Sequence, residues 1–132
     1  MIQFAFDSRE ESDYLPHNYE KNCVVYTGTH DNDTLCGWYK VLDPEDLRLS
    51  QKYMNNANTP KRQIHWDFIR LALASVADLC IIPLQDYLGL GSEARINTPS
   101  TLGNNWRWRM TQGCLTKELA DQIRELTTLY GR

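Results

Sequence analysis

Three short apolar runs along the chain have the pattern of β-strands. MIQFAF (1–6) alternates in part, CVVYTGT (23–29) is rich in β-branched and aromatic residues, and LCIIPL (79–84) is apolar throughout. A central strand rarely tolerates proline except at its end, so the third strand should end near Pro83. These patterns predict three short and mostly buried strands.

Two helical patterns lie between the second and third predicted strands. The first has Asp43 placed as its N-cap and Pro44 at its first helical position, followed by two acidic residues that favour the positive end of the helix dipole. The second extends over about 60–76, where apolar residues recur at helical spacing and predict one buried face. The residues of that face are Ile64, Phe68, Ile69, Leu71 and Ala72.

A long segment without periodicity follows the third predicted strand. It covers 87–109 and is dense in Gly, Asn, Ser, Pro and Trp. A structureless stretch of this length inside a compact domain is usually functional. The chain then closes with a predicted helix from Thr116 to about Tyr130, and Gly131 is placed as its C-terminal cap.

The order of these elements predicts an α/β fold with parallel strands joined by crossovers. Such folds keep their reactive groups at the carboxyl ends of the strands, in barrels and open sheets alike. Three polar groups occupy such positions here. They are Asp7, the sequence THDND (29–33), and the pair Gln85 and Asp86.

Composition limits the class of protein further. The 132 residues, 42% of them hydrophobic, predict a single unit over 1–132 without an internal domain boundary. The net charge of -3, with both signs interspersed, predicts neither nucleic acid nor an anionic membrane as a partner. The longest mainly apolar run, 71–84, is shorter than a membrane span, and the N-terminal run lacks the basic residues of a signal peptide. We therefore expect a cytoplasmic protein whose cysteines are reduced thiols.

His30, Asp31 and Asp33 have three alternative interpretations: metal ligands, a catalytic pair or a polar turn. A calcium loop does not fit, because Leu35 occupies a ligand position and no glutamate closes the loop. A zinc site would need more His or Cys at ligand spacing, so no metal is expected. From the residues alone, an active site and a structural role remain open, the latter with Asp31 or Asp33 as N-cap of a short helix through Trp38.

The long segment contains two further patterns. GLGSEA (89–94) has the outline of a dinucleotide fingerprint, but no clear helix follows it and no acidic residue stands at the required distance, so no nucleotide cofactor is expected. Trp106 and Trp108 alternate with arginines and could stack on sugar faces or bases. The favoured interpretation is that both pack beneath the loop against the closing helix.

Five motifs occur in one order along the chain: LPHNY (15–19), VVYTGTHDNDT (24–34), GWY (37–39), IIPLQDYLGLGSEARINTP (81–99) and GNNWRWR (103–109). In this order they closely resemble the C-terminal part of the bacterial 4-alpha-glucanotransferases, also called amylomaltases or disproportionating enzymes. The resemblance covers essentially the whole chain. It implies the C-terminal portion of a (β/α)8 TIM barrel, with the last three strands and the closing helix, and not a complete barrel.

The resemblance also implies an activity and its residues. Such enzymes transfer α-1,4-glucan segments between maltooligosaccharides with retention of configuration and without a cofactor. Asp31 matches the carboxylate that stabilises the oxocarbenium-like transition state, and His30 matches a histidine that hydrogen-bonds the sugar. Asn97 resembles a substrate-contacting asparagine, and Asp7 is expected to face the same cleft. A fixed, ionised aspartate stabilises developing positive charge more than the neutral ground state.

The family's nucleophile and general acid/base lie on earlier strands, and neither matches a residue of this chain. Asp86 and Glu93 correspond to neither motif, so the isolated chain is expected to be inactive. Its expected partners are an α-1,4-glucan and either the missing N-terminal part of the barrel or a second copy, because part of a barrel leaves edges and apolar strand faces uncovered. The alternative function is a non-catalytic glucan-binding or interaction module that uses Trp106 and Trp108.

Overall fold

The computed structural model describes residues 1–132 and has a two-stranded parallel sheet at its centre. Strand β1 is Val24–Tyr26 and strand β2 is Leu79–Ile81. The register pairs Val24 with Leu79, Val25 with Cys80, and Tyr26 with Ile81. The predicted α/β class and the second and third predicted strands are therefore confirmed, although both strands are shorter than the apolar runs that predicted them.

Five α-helices accompany the sheet. They are α1 (Leu35–Lys40), α2 (Pro44–Met54), α3 (Ile64–Leu73), α4 (Leu84–Tyr87) and α5 (Lys117–Leu129). Short 3-10 helices cover Ile2–Phe4, Pro16–Asn18, Lys61–Gln63 and Ser92–Ala94. None of the helices has the length and apolar character needed to cross a membrane. Helices α1 to α3 connect β1 to β2, as a parallel pair requires.

The strand predicted over 1–6 is wrong, because Ile2–Phe4 forms a 3-10 helix. One backbone hydrogen bond, from the amide of Gln3 to the carbonyl of Thr27 at 3.3 Å, joins this segment to the end of β1. Ile2 is nonetheless fully buried. Periodicity alone cannot distinguish a strand from a helix in so short an apolar run, so the pattern indicated burial but not conformation.

Helix α3 provides the centre of the core. Phe68, Ile69 and Ala72 are fully buried, as the apolar face predicted, whereas Leu71 is partly exposed. The Phe68 ring has three aromatic neighbours in edge-to-face arrangement, with centroids 5.2 to 5.9 Å away: Phe6, Trp38 and Tyr39. Such edge-to-face pairs stabilise a core beyond the area that they bury. The N-terminal segment and α1 are thereby packed on α3, beneath the ends of the strands.

Two of the predicted helix ends are confirmed. The Asp43 side chain accepts a hydrogen bond from the Glu45 amide at 2.9 Å at the start of α2. At the end of α5, Gly131 has φ +69° and its amide donates to the carbonyl of Thr128 at 3.1 Å. The amide of Arg132 donates to the carbonyl of Thr127 at 3.0 Å, which completes a Schellman motif.

The N-cap of α1 differs from the prediction. Thr34, and neither Asp31 nor Asp33, caps this helix by accepting a hydrogen bond from the Gly37 amide at 3.1 Å. The Asp33 carboxylate accepts instead from the Thr34 amide at 2.8 Å. His30 and Asp31 therefore lie before the helix, in the turn that follows β1.

Replacing Thr34 with Ala should lower the free energy of unfolding by about 1 kcal/mol, because the Gly37 amide loses its acceptor. The matched variant Thr34→Ser keeps the hydroxyl and should retain most of the stability. Urea denaturation of the chain and both variants measures the difference. Equal unfolding midpoints for Thr34→Ala and the unsubstituted chain would contradict the role of this cap.

One face of the sheet is exposed. Side chains alternate between the faces of a strand, and Val25 is buried while Val24, Leu79 and Ile81 remain 44%, 52% and 40% exposed. Each strand also has an outer edge without a strand partner. The sheet therefore presents an apolar face and two open edges, which proteins normally cover.

Candidate active site

Three of the four predicted site residues meet at the carboxyl end of β1. The Asn97 side-chain amide donates a hydrogen bond to Asp31 Oδ1 at 2.6 Å, and its backbone amide donates to the carbonyl of His30 at 3.1 Å. His30 Nε2 lies 3.3 Å from the same Asp31 oxygen. Both contacts use Oδ1, which leaves Oδ2 without a partner in the chain. The His30 and Asp31 side chains are about half exposed, 52% and 48%.

Arg95 holds the two segments of this cluster together, and sequence analysis did not identify it. Its Nη2 donates to the carbonyl of Asp31 at 2.6 Å, and its Nε donates to the carbonyl of Asn97 at 2.9 Å. Arginine suits this role because its guanidinium presents several donors in a fixed plane. The sequence carries no signal for these contacts, since the acceptors are backbone carbonyls.

Asp33 lies behind the cluster and anchors the loop that follows β2. Its carboxylate accepts a hydrogen bond from the Ser92 hydroxyl at 2.6 Å, and its backbone carbonyl accepts from the Gln3 side chain at 2.7 Å. Gly37 packs against this pair. A Cβ there would lie 2.6 Å from both Asp33 carboxylate oxygens and 2.4 Å from Ser92 Oγ, so a side chain at position 37 would displace them.

Asp86 is a structural residue beneath the site. It is 2% exposed and accepts hydrogen bonds from the Thr27 hydroxyl at 2.6 Å and from the Leu35 amide at 2.8 Å. Burial raises the pKa of this carboxyl above its ordinary value. Asp86 thus joins α4 to the end of β1 and to the start of α1, which fixes the turn that carries His30 and Asp31.

Asp7, the fourth predicted site residue, is not held in this cluster. Its carboxylate accepts hydrogen bonds from Arg9 Nε at 2.7 Å, from Nη2 at 2.6 Å and from the Arg9 amide at 3.0 Å. These hydrogen bonds lower the pKa of Asp7 to about 2. None of them reaches His30, Asp31 or Asn97, so a place for Asp7 in the same cleft stays a prediction.

Trp106 lies beside His30, with ring centroids 5.0 Å apart and planes inclined by 36°. Its amide donates to the carbonyl of Ile96 at 2.7 Å, and the residue is 58% exposed. The favoured interpretation, that both tryptophans pack beneath the loop, is therefore wrong for Trp106. Trp108 is partly buried.

The carboxylate, imidazole and amide groups of the cluster determine which chemistry it can support. One carboxylate with a free oxygen can stabilise positive charge, while imidazole and amide groups can hydrogen-bond hydroxyls. Asp33 and Asp86, by contrast, are engaged in internal hydrogen bonds. No group of three or more His, Cys, Asp or Glu side chains is arranged to hold a metal ion. The cluster thus offers one carboxylate with a free oxygen beside groups that can hydrogen-bond hydroxyls.

Known proteins share both the sequence and the fold of this chain. The family described as 4-alpha-glucanotransferase matches residues 1–116. A 4-alpha-glucanotransferase of Clostridium butyricum is 50% identical over 133 residues, which cover 100% of this chain and 27% of the relative. A chloroplastic/amyloplastic 4-alpha-glucanotransferase of Arabidopsis thaliana is 46% identical, with 100% of this chain and 23% of the relative covered.

A solved structure, amylomaltase from Streptococcus agalactiae in complex with acarbose, superimposes with a TM-score of 0.92 at 36% identity. That alignment covers 100% of this chain and 26% of the amylomaltase. The chain thus spans about a quarter of the length of the relatives that it matches.

Proposed function

The chain belongs to the 4-alpha-glucanotransferase family, and from this premise we propose that it supplies the transition-state-stabilising part of a retaining α-1,4-glucan transferase. The reaction moves a maltooligosaccharide segment from a donor glucan to an acceptor. The observation that carries the proposal is the hydrogen bond of 2.6 Å from Asn97 to Asp31 Oδ1 at the end of β1. It holds an ionisable carboxylate in place while leaving its second oxygen free.

Each residue of the cluster has a role in the proposed mechanism. The Asp31 carboxylate faces the anomeric carbon and stabilises the positive charge that develops there when the glycosidic bond breaks. Because Asn97 fixes its orientation in advance, little reorganisation is needed in the transition state. His30 hydrogen-bonds hydroxyls of the reacting sugar. The acarbose complex of the Streptococcus agalactiae amylomaltase supports oligosaccharide binding by this fold.

We place the chain in the C-terminal portion of a (β/α)8 barrel. Parallel β1 and β2, joined by helices and carrying the cluster at their carboxyl ends, have the arrangement of neighbouring barrel strands. The exposed side chains of Val24, Leu79 and Ile81 would then face the barrel interior. The open strand edges would pair with further strands.

Two consequences concern the isolated chain. The nucleophile and the general acid/base would come from outside the 132 residues, so the chain alone should not catalyse transfer. Its exposed sheet face should be covered either by the N-terminal part of the barrel or by a second copy, and sedimentation velocity should accordingly show self-association of the isolated chain. A cytoplasmic location stays a prediction from the sequence.

A chimera tests the proposed function. In it, this chain replaces the matching quarter of the Clostridium butyricum 4-alpha-glucanotransferase, to which it is 50% identical. Incubation with maltotriose should yield glucose and longer maltooligosaccharides from the chimera, as from the parent enzyme, and no products from the isolated chain. A folded but inactive chimera would contradict the proposed function. Products from the isolated chain would show that the nucleophile and acid lie within it.

The second candidate function is a glucan-binding module without catalysis, and the exposed indole of Trp106 is the observation that favours it. Such a module would bind maltoheptaose as an isolated chain but give no transfer activity in the chimera. Transfer activity of the chimera therefore distinguishes the two candidates.

A further inference from the structure

The backbone at Trp106 adopts a conformation that its side chain disfavours. Its φ of +62° lies in the left-handed region, which bulky residues rarely occupy. Two hydrogen bonds hold it there: the Trp106 amide donates to Ile96 at 2.7 Å, and Arg109 Nη1 donates to the Trp106 carbonyl at 3.2 Å. Strained residues that the surrounding structure enforces are concentrated at functional sites.

The strained backbone directs the indole toward the candidate active site and not into the core. Its centroid lies 5.0 Å from that of His30, yet 58% of the residue stays exposed. His30 and Asp31 are themselves about half exposed, so an open aromatic surface adjoins the two polar groups. Neither core packing nor a regular element explains this placement.

We propose that Trp106 is a sugar-stacking residue, on whose indole a glucosyl ring of an α-1,4-glucan packs beside Asp31. The inference rests on the proposed function and deepens it. An indole offers a large, rigid apolar surface that suits the C–H face of a pyranose. His30, Asp31 and Asn97 supply the polar partners that the hydroxyls of the same ring require. The negatively charged chain does not suit the alternative stacking ligand, a nucleic acid.

Titration of the 132-residue chain with maltoheptaose, followed by NMR, tests the proposal. Trp106→Ala should weaken binding by about tenfold, and Trp106→Phe, which keeps an aromatic face, should weaken it less. Leu102→Ala is the matched control: it removes an exposed apolar side chain from the same loop and should leave the affinity unchanged. An affinity of Trp106→Ala equal to that of the unsubstituted chain would overturn the proposal.

A second measurement decides the question even if Trp106→Ala does not fold. Saturation of the Trp106 indole protons in the unsubstituted chain should transfer to the ring C–H protons of maltoheptaose. If no saturation transfer is seen, or if maltoheptaose does not bind at all, the stacking role is overturned. That result would favour an indole that is covered by other parts of a complete enzyme. The proposed function is tested separately, because it depends on the transfer activity of the chimera and not on maltoheptaose binding by the isolated chain.

Discussion

Asp31→Asn is expected to reduce kcat for maltotriose transfer by the chimera by about a hundredfold to a thousandfold, the scale of losing a preorganised electrostatic group. Asparagine keeps the shape of the side chain and an oxygen for the hydrogen bond from Asn97. It removes the negative charge, which matters most when positive charge develops at the sugar. Since the neutral ground state loses little, KM should change far less than kcat. Initial rates over a range of maltotriose concentrations measure both.

Asp121→Asn is the matched control for this experiment. Asp121 lies on α5, its side chain is 45% exposed against 48% for Asp31, and its partners are Lys117 and Arg124 on the same helix. The same chemical change there should leave kcat unaffected. Asn97→Ala should give a smaller loss than Asp31→Asn, because the carboxylate stays charged but loses its fixed orientation. A chimera that retains a tenth of its kcat after Asp31→Asn would contradict the assigned role.

The accuracy of the sequence-based fold prediction depends on how local each signal is. The start of α2 at Asp43 and the end of α5 at Gly131 were predicted correctly, because caps are determined by residues within one turn. The strand predicted over 1–6 is wrong, because this segment makes a single backbone hydrogen bond to the end of β1 and so does not pair with it as a strand. Thr34 was missed in favour of two aspartates because all these residue types are good N-caps.

The candidate site likewise has features that the sequence predicts and features that only the structure shows. His30, Asp31 and Asn97 are predicted as site residues through a family resemblance, and the structure brings Asp31 and Asn97 together across 66 positions of sequence. The contacts of Arg95 with backbone carbonyls left no trace in the residue pattern. The exposure of Trp106 depends on a left-handed backbone, which no residue type at that position indicates.

The second large effect is expected at Asp86, where alanine should lower the free energy of unfolding by about 3 kcal/mol. Two buried donors, the Thr27 hydroxyl and the Leu35 amide, would lose their acceptor at once. The space left by the carboxylate would add to the cost. Urea unfolding of the 132-residue chain measures the change, and a loss below about 1 kcal/mol would mean that water or a side-chain shift replaces the carboxylate.

Asp86→Asn separates the hydrogen bonds from the charge. Its amide oxygen can accept from Leu35 and its NH2 group can donate to Thr27 Oγ1, so it should be far more stable than Asp86→Ala.

Burial raises the pKa of Asp86 above its ordinary 3.8, so the folded state binds more protons than the unfolded state between the two values. The stability that the protonated carboxyl contributes is therefore present at low pH and is lost as the pH rises through the folded-state pKa. Relative to the unsubstituted chain, Asp86→Asn should thus become more stable in urea unfolding as the pH rises from the ordinary pKa of 3.8 through the folded-state pKa. A difference that stays constant with pH would show that Asp86 has the same pKa in both states.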